Sequence, residues 1–435
     1  MRWGTATALL AITSALSGAL AVGVPAPASA REEPPATWSP DLAAGDAVGV
    51  TVDGGTARLD PAAAFPAPAG EGRSTEAEAE AEPMGLLTLP VRELTTPTDR
   101  IGAAVTGDVP PGATATVDVR GRRATGGWSE WVPAIGGAEG SAAVLPEPAS
   151  DVQGRLVLTG SDAAAPAVRG VTFTALPPTA PLAESGAEQV LPLSYRVFAT
   201  REGLVGRTTA NGHVIGPRDH FVALPSRRAL SPRGTSDYSV KVCAPNGRCA
   251  FAPVWDVGPW NTRDDYWNPP HQRREWRDLP QGLPQAQAAK ENGYNRGRDQ
   301  YGRKVANPAG IDLADGLFWD ALGLQKNSWV QVDYLWTGLL RLSKVGAEQP
   351  LRAAPDAEAE VVGVAAEGAA VPVECALGSG EERWLRVGVD QYLPATAVRD
   401  VGKVDDCAPE GAPQDTGEDT DEDTGTPANA AEDAG

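Results

Sequence analysis

Between about Leu86 and Leu176 the chain alternates apolar and polar residues in short runs. "DRIGAAVTG", "ATATVDVRGRR", "WSEWVPA", "GRLVLTG" and "VRGVTFTAL" are separated by Gly, Pro, Asp and Ser at regular spacing. Successive side chains of a strand point to opposite faces, so this period of two predicts half-buried strands and a β-sandwich over 86–180. Two shorter runs, "AVGVTV" and "TARLD", precede it and belong with it. Strand patterns dominate 190–338 as well: "YRVFAT", "HFVALPS", "YSVKVCAPNGRCAFAPVWDVGPW" and "WVQVDYLW". Two helices are expected there. One follows Asp315, whose side chain can cap it, and the other, "QAQAAKEN", ends at Gly293. A last set of short strands fills 344–402, so the fold is mainly β throughout.

The ends of the chain read differently. Residues 1–30 combine a basic start at Arg2, a small-residue apolar run and "ASA" before the expected cleavage at Ala30, which is a secretory signal peptide. An exported protein that is secreted or cell-wall associated is expected, without a membrane anchor, since no later run is long and apolar enough to span a bilayer. Residues 31–85 form a Pro/Ala/Glu-rich linker with short strands, and 403–435 a disordered acidic tail. The tail changes how the net charge of −20 is read. From Val404 on there are 11 Asp or Glu and no Lys or Arg, whereas Val190 to Trp336 holds 19 basic against 14 acidic residues. A mildly basic middle favours an anionic polymer, and outside the cell that is the wall rather than nucleic acid.

The 4 cysteines all follow residue 240. Cys243 and Cys249 bracket "APNGR", a hairpin tip with Gly at the left-handed position, and their pairing leaves Cys375 for Cys407. The histidines at 213, 220 and 271 make no zinc-hydrolase spacing, and no nucleophile elbow or phosphate loop occurs. No metal and no cofactor are expected, and the protein is expected to be a monomer.

Four motifs in order give the middle block a resemblance. "GRTTANGHVI", "HFVALPS", "VWDVGPW" and "GIDLADGLFWDALGL" resemble the motifs of the rare lipoprotein A family, with expansins as more distant relatives. The resemblance implies a six-stranded double-psi β-barrel over 190–338. The order of strands in 344–402 is similar to a bacterial Src-homology-3-like module, and flexible linkers are expected to join the three units. The resemblance further implies a shallow glycan groove with an acid at Asp256 and a histidine at His220. In such an enzyme, a peptidoglycan lytic transglycosylase, one carboxyl protonates the bridging oxygen and then takes a proton from the C6 hydroxyl.

Trp255, Trp260, Asn211, Trp267 and Asp312 are the expected substrate-binding residues. Burial against tryptophan would raise the pKa of Asp256 and suit it to proton delivery. Equally, an Asp before Gly-Pro commonly accepts backbone N–H bonds, which would make it structural. Asp312 could instead fix loop backbones beneath the groove. The chain departs from the family pattern at Val257, where Arg is usual, and in a long insertion over 261–309 rich in Trp and Arg, which could be a glycan surface or a lid. Trp128 and Trp131 suit either sugar stacking or cross-strand packing. The alternative to an enzyme is therefore an expansin-like protein that binds or loosens wall glycan without cutting it.

Overall fold

The run "CAFAPVWDV" illustrates how alternation closes a barrel. Ala250, Ala252 and Val254 enter a core with Val197, Val240, Val242, Ile311, Leu313 and Val332, while Phe251 packs into a separate core on the other side. The structure is a computed structural model that describes residues 35–60, 62–65, 83–137, 140–161, 163–179 and 190–408. The signal peptide expected at 1–30, much of the 31–85 linker and the acidic tail beyond 408 lie outside the described residues. What is described is mainly β, with one closed six-stranded barrel and one nearly closed barrel-like sheet.

Six strands form the closed barrel: β1 (Leu193–Arg201), β2 (Val222–Leu224), β3 (Ser239–Cys243), β4 (Cys249–Val257), β5 (Ala309–Leu313) and β6 (Ser328–Tyr334). Around the barrel they run β2-β5-β1-β6-β3-β4, and β4 pairs back to β2. The β1–β5 and β2–β4 pairs are parallel and the other four antiparallel. β1 and β2, β2 and β3, and β4 and β5 follow one another in the chain but are not neighbours in the barrel, so long crossovers join them. These crossovers, 202–221, 225–238 and 258–308, hold most of the sequence motifs. The β3–β4 hairpin turns at Gly247, with φ at +87°, and is closed by the Cys243–Cys249 disulfide; the second disulfide joins Cys375 and Cys407.

Helix α1 (Gln285–Asn292) ends at Gly293 in the left-handed conformation, as its sequence predicts. The helix expected after Asp315 is reduced to a single wide turn, Leu317–Ala321, and Asp315 does not cap it. Its carboxylate is taken up by Arg201 at 2.8 Å.

The N-terminal sheet is built on two long strands, Arg92–Asp108 and Gly140–Thr159. The first part of Gly140–Thr159 pairs with Arg92–Asp108 and the last part with Met84–Thr88 and Thr114–Gly121. The register shifts fall between Val144 and Asp151, around "LPEPAS", where proline cannot donate to the ladder. The short strands Asp46–Val48, Val50–Asp53 and Thr56–Leu59 complete this sheet.

Side chains lock this unit to the barrel. Asp118 receives Arg227 and Arg155, each at 2.9 Å, in full burial. Glu130 of "WSEW" accepts from Asn268 and Trp336 at 2.8 Å and from Trp267, and pairs with Arg228 at 3.0 Å. Trp131 is wholly buried, donates to Leu230 O at 3.1 Å and lies under Arg120 and Arg155. Trp128 is buried too, so this tryptophan pair serves packing rather than sugar contact.

The C-terminal strands extend the barrel's own sheet. Val361–Ala365 pairs in parallel with Cys249–Phe251 of β4, and Phe251 and Leu335 join a core with Leu351, Val371, Leu385 and Leu393. Continuous backbone pairing and a shared core therefore connect the last unit to the barrel.

Candidate functional site

One row of the barrel gathers the acidic residues. Asp256 stands opposite Ala223, Ala223 opposite Asp312, and Asp312 opposite Thr200, across β4, β2, β5 and β1. Strict alternation would put Asp256 in phase with Ala250, Ala252 and Val254, on the core side. A register shift between Val254 and Asp256 against β2 changes that phase, which is what a β-bulge does to the side chains that follow it. Ala223 and Thr200 are small enough to leave room beside the carboxylates, and Thr200 Oγ1 donates to Asp312 Oδ1.

Glu202 follows β1 directly, two residues after Thr200. Its backbone N–H is held by Leu313 O at 2.8 Å, and its side chain hydrogen bonds Asp256. The second carboxyl oxygen, Oε2, is shut off from solvent with no hydrogen-bond partner. Burial, then the charge and hydrogen bond of Asp256, then the charges of Asp312 and Asp315 push the Glu202 carboxyl well above its ordinary range. Two carboxyl groups in contact cannot both ionise cheaply, so the pair retains a proton where isolated carboxylates would not. Asp256 Oδ1 accepts Ala210 N at 2.7 Å and Val257 N at 2.8 Å. These two N–H donors orient the Asp256 carboxyl beside Glu202. Among the described residues no group of three or more His, Cys, Asp or Glu is arranged to hold a metal ion.

The "TANG" loop forms one wall. Thr209 and His213 close a tight turn, with Gly212 at φ +88°, a conformation that favours glycine. Asn211 Oδ1 accepts from Thr209 Oγ1 at 2.7 Å and its N–H reaches Trp255 O at 3.2 Å, so buried Asn211 shapes the loop that delivers Ala210 N–H to Asp256. The His213 ring packs on half-buried Trp255 at 4.7 Å, and its Nε2 meets Asp219 Oδ2 at 2.6 Å.

Of the residues expected from sequence, Asp256, Asp312, Trp255 and Asn211 are brought together. His220 turns elsewhere. Its Nδ1 pairs with Glu348 Oε2 of the C-terminal unit at 2.9 Å, and burial lowers its pKa against the opposing charge of Glu348. Trp260 is buried, donates to Asn307 Oδ1 at 2.9 Å and packs on Ala286, Ala289, Val305 and Ala309. Trp267 is wholly buried, with its ring stacked at 5.4 Å on Tyr334. These two tryptophans anchor the insertion to the barrel. With Arg273 on Asp264, and with Arg228 on Asp265 at 2.9 Å, the insertion is a packed structural segment rather than an aromatic glycan surface. Val257, where an arginine was expected, is buried in a cluster with Phe65, Met84, Leu86 and Val157 of the N-terminal unit, a place where an arginine charge would be unsatisfied.

Glu202 was not singled out from the sequence. Its signal is slight: an acidic residue ending a strand, with its partners on distant strands. Fold and site together define a closed six-stranded barrel whose rim carries two carboxyls in contact, Glu202 and Asp256. Residues 193–333 match a family described as a domain of unknown function (DUF8814). That span runs from the first residue of β1 to Asp333 in β6, and so coincides with the barrel and its insertion. No curated protein matches the chain.

Proposed function

We propose that this is an exported cell-wall protein whose barrel cleaves peptidoglycan glycan strands as a lytic transglycosylase, with the Glu202–Asp256 pair as its acid–base group. The observation that carries the reading is the contact of two half-buried carboxyls, Glu202 and Asp256, on the barrel rim, with Glu202 Oε2 shut off from solvent and without a partner. The resemblance of the four barrel motifs to the rare lipoprotein A family supports the same substrate. Two disulfides suit an oxidising compartment, and among the described residues no helix is long and apolar enough to cross a membrane.

In this scheme the pair gives its proton to the bridging oxygen as the C1–O bond breaks. The C6 hydroxyl oxygen of the same muramic acid attacks C1, and its proton returns to the pair. The carboxyl is regenerated and no water is consumed. Asp256 is the member oriented by backbone N–H groups, and Glu202 the member whose carboxyl is pushed upward by burial and its neighbours. His213, on the Trp255 face, takes the orienting place expected of His220.

A second reading is favoured by the two backbone N–H bonds to Asp256 Oδ1, which are also what a purely structural aspartate makes. A barrel of that kind would hold glycan without cutting it. Incubation with purified peptidoglycan separates the two. The wild type is expected to release 1,6-anhydromuramic products, and Asp256→Asn and Glu202→Gln to release none. Wall binding by all three proteins without products would establish the binder.

A further inference from the structure

Among the described residues, Trp319 is the tryptophan most open to solvent, at 39 % exposure, while neighbouring Phe318 is buried. It sits on the Leu317–Ala321 turn, which is fastened to the end of the 202–221 crossover. A Cβ on Gly316 would lie 2.2 Å from Arg218 O, so only glycine permits this approach. Leu317 N donates to Asp219 O at 3.3 Å and Ala314 N to Phe221 O at 3.1 Å. The approach brings the Arg218 guanidinium over the indole ring, 5.6 Å from its centre, and the Arg201 guanidinium lies over it at 4.9 Å. Arg201 in turn holds Asp315, whose charge is among those acting on Glu202. Arg201, which lies over the indole, also directly precedes Glu202 in the chain.

We propose that Trp319, with Arg201 and Arg218, is a subsite for a sugar ring that carries a carboxylate, next to the Glu202–Asp256 pair. The proposal rests on reading that pair as the cleaving acid. An indole face offers a flat apolar surface to the C–H face of a pyranose, and a guanidinium offers paired donors matched to a carboxylate. Arg218 is free to be shared. Its pairing with Asp320 is solvent-exposed on both sides, and such pairs contribute little. Val257, buried against the N-terminal unit, supplies no cation beside Asp256, and Arg201 and Arg218 are the cations over the indole.

The test measures binding of the full chain carrying Glu202→Gln to peptide-free peptidoglycan strands, to the same strands with carboxylates reduced to alcohols, and to neutral chitin hexasaccharide. Adding Trp319→Ala is expected to weaken strand binding roughly three- to tenfold, and Trp319→Phe to restore most of it. Reduction of the strands should weaken binding to the parent but not to Arg218→Gln. Unchanged binding in Trp319→Ala, or equal binding of native and reduced strands by the parent, overturns the subsite; so does failure of the parent to bind strands. Product formation is scored separately on chains with the carboxyl pair intact. Products with no Trp319 effect on binding leave the acid standing without the subsite, and a Trp319 effect without products leaves the subsite standing without the acid.

Discussion

Asp118 lies under two guanidiniums, whereas Glu202 lies against a second carboxyl. Burial alone pushes both groups up. At Asp118 the charges of Arg227 and Arg155 outweigh burial and hold the carboxyl well below the ordinary range. At Glu202 the neighbouring carboxylates add to burial, and the carboxyl is pushed well above its ordinary range. The first arrangement pairs the carboxylate with two guanidiniums, though it leaves Arg155 Nε without a partner, and fixes the N-terminal unit on the barrel. The second leaves a buried oxygen without a partner and a proton on the barrel rim. A carboxylate compensated by arginine is doing structural service, and one opposed by its own kind is poised for proton transfer.

The comparison predicts its largest effect at Asp118. Asp118→Ala strands two buried arginines and should cost about 3–5 kcal/mol in urea unfolding. Replacing Asp118, Arg155 and Arg227 together with Met or Leu should cost far less, because no charge is then left uncompensated. A loss below about 1 kcal/mol for the single change would break the structural half of the comparison. The pH dependence has a definite sign. The folded pKa is depressed, so this stability is present above the ordinary value of 3.8 and lost only as pH falls below it in strong acid.

A smaller effect is expected at Glu130, which serves both Trp267 and Trp336 and pairs with Arg228. Glu130→Gln keeps one acceptor oxygen but removes the other and the charge, for a cost of about 1–3 kcal/mol. The insertion should then become easier to cut, and limited proteolysis within 261–309 measures this. Cleavage no faster than in the wild type would show that Trp260 and Arg273 anchor the insertion by themselves.

These two regions were not equally legible in the sequence. Alternation marked the barrel strands, the Gly293 stop and the hairpin disulfide, since each depends on residues close together in the chain. The motif "VWDVGPW" singled out Asp256, whereas strict alternation along the strand would place its side chain with the core. The bulge that turns it out depends on the register of β2, which no local pattern records. His220 was legible as a motif residue, while its partner Glu348 comes from another unit. The tryptophans of "WSEW" and the insertion suited sugar stacking by composition. Trp128, Trp131, Trp260 and Trp267 are buried, and Trp267 is held by Glu130, which also takes donors from Asn268 and Trp336. Glu202 has the same difficulty, since "ATRE" carries no sign of the carboxylates that meet it after folding.

The smallest effect has the opposite sign, and it probes the comparison most directly. Glu202→Gln replaces a protonated carboxyl with a neutral isostere, so the fold loses no charge pairing. Because the folded pKa of Glu202 is raised, its contribution to stability is complete below the ordinary value of 4.5 and is lost as pH rises toward the folded value. The variant should therefore unfold like the wild type in acid and become more stable than it as pH rises. Thermal midpoints from pH 4 upward, in about one-unit steps, follow this difference. Asp256→Asn should reproduce part of it, since removing one carboxylate relieves the other. If Glu202→Gln is instead less stable at every pH, the carboxylate form of Glu202 is making a favourable contact. The rim pair would then belong with Asp118, as a satisfied structural charge.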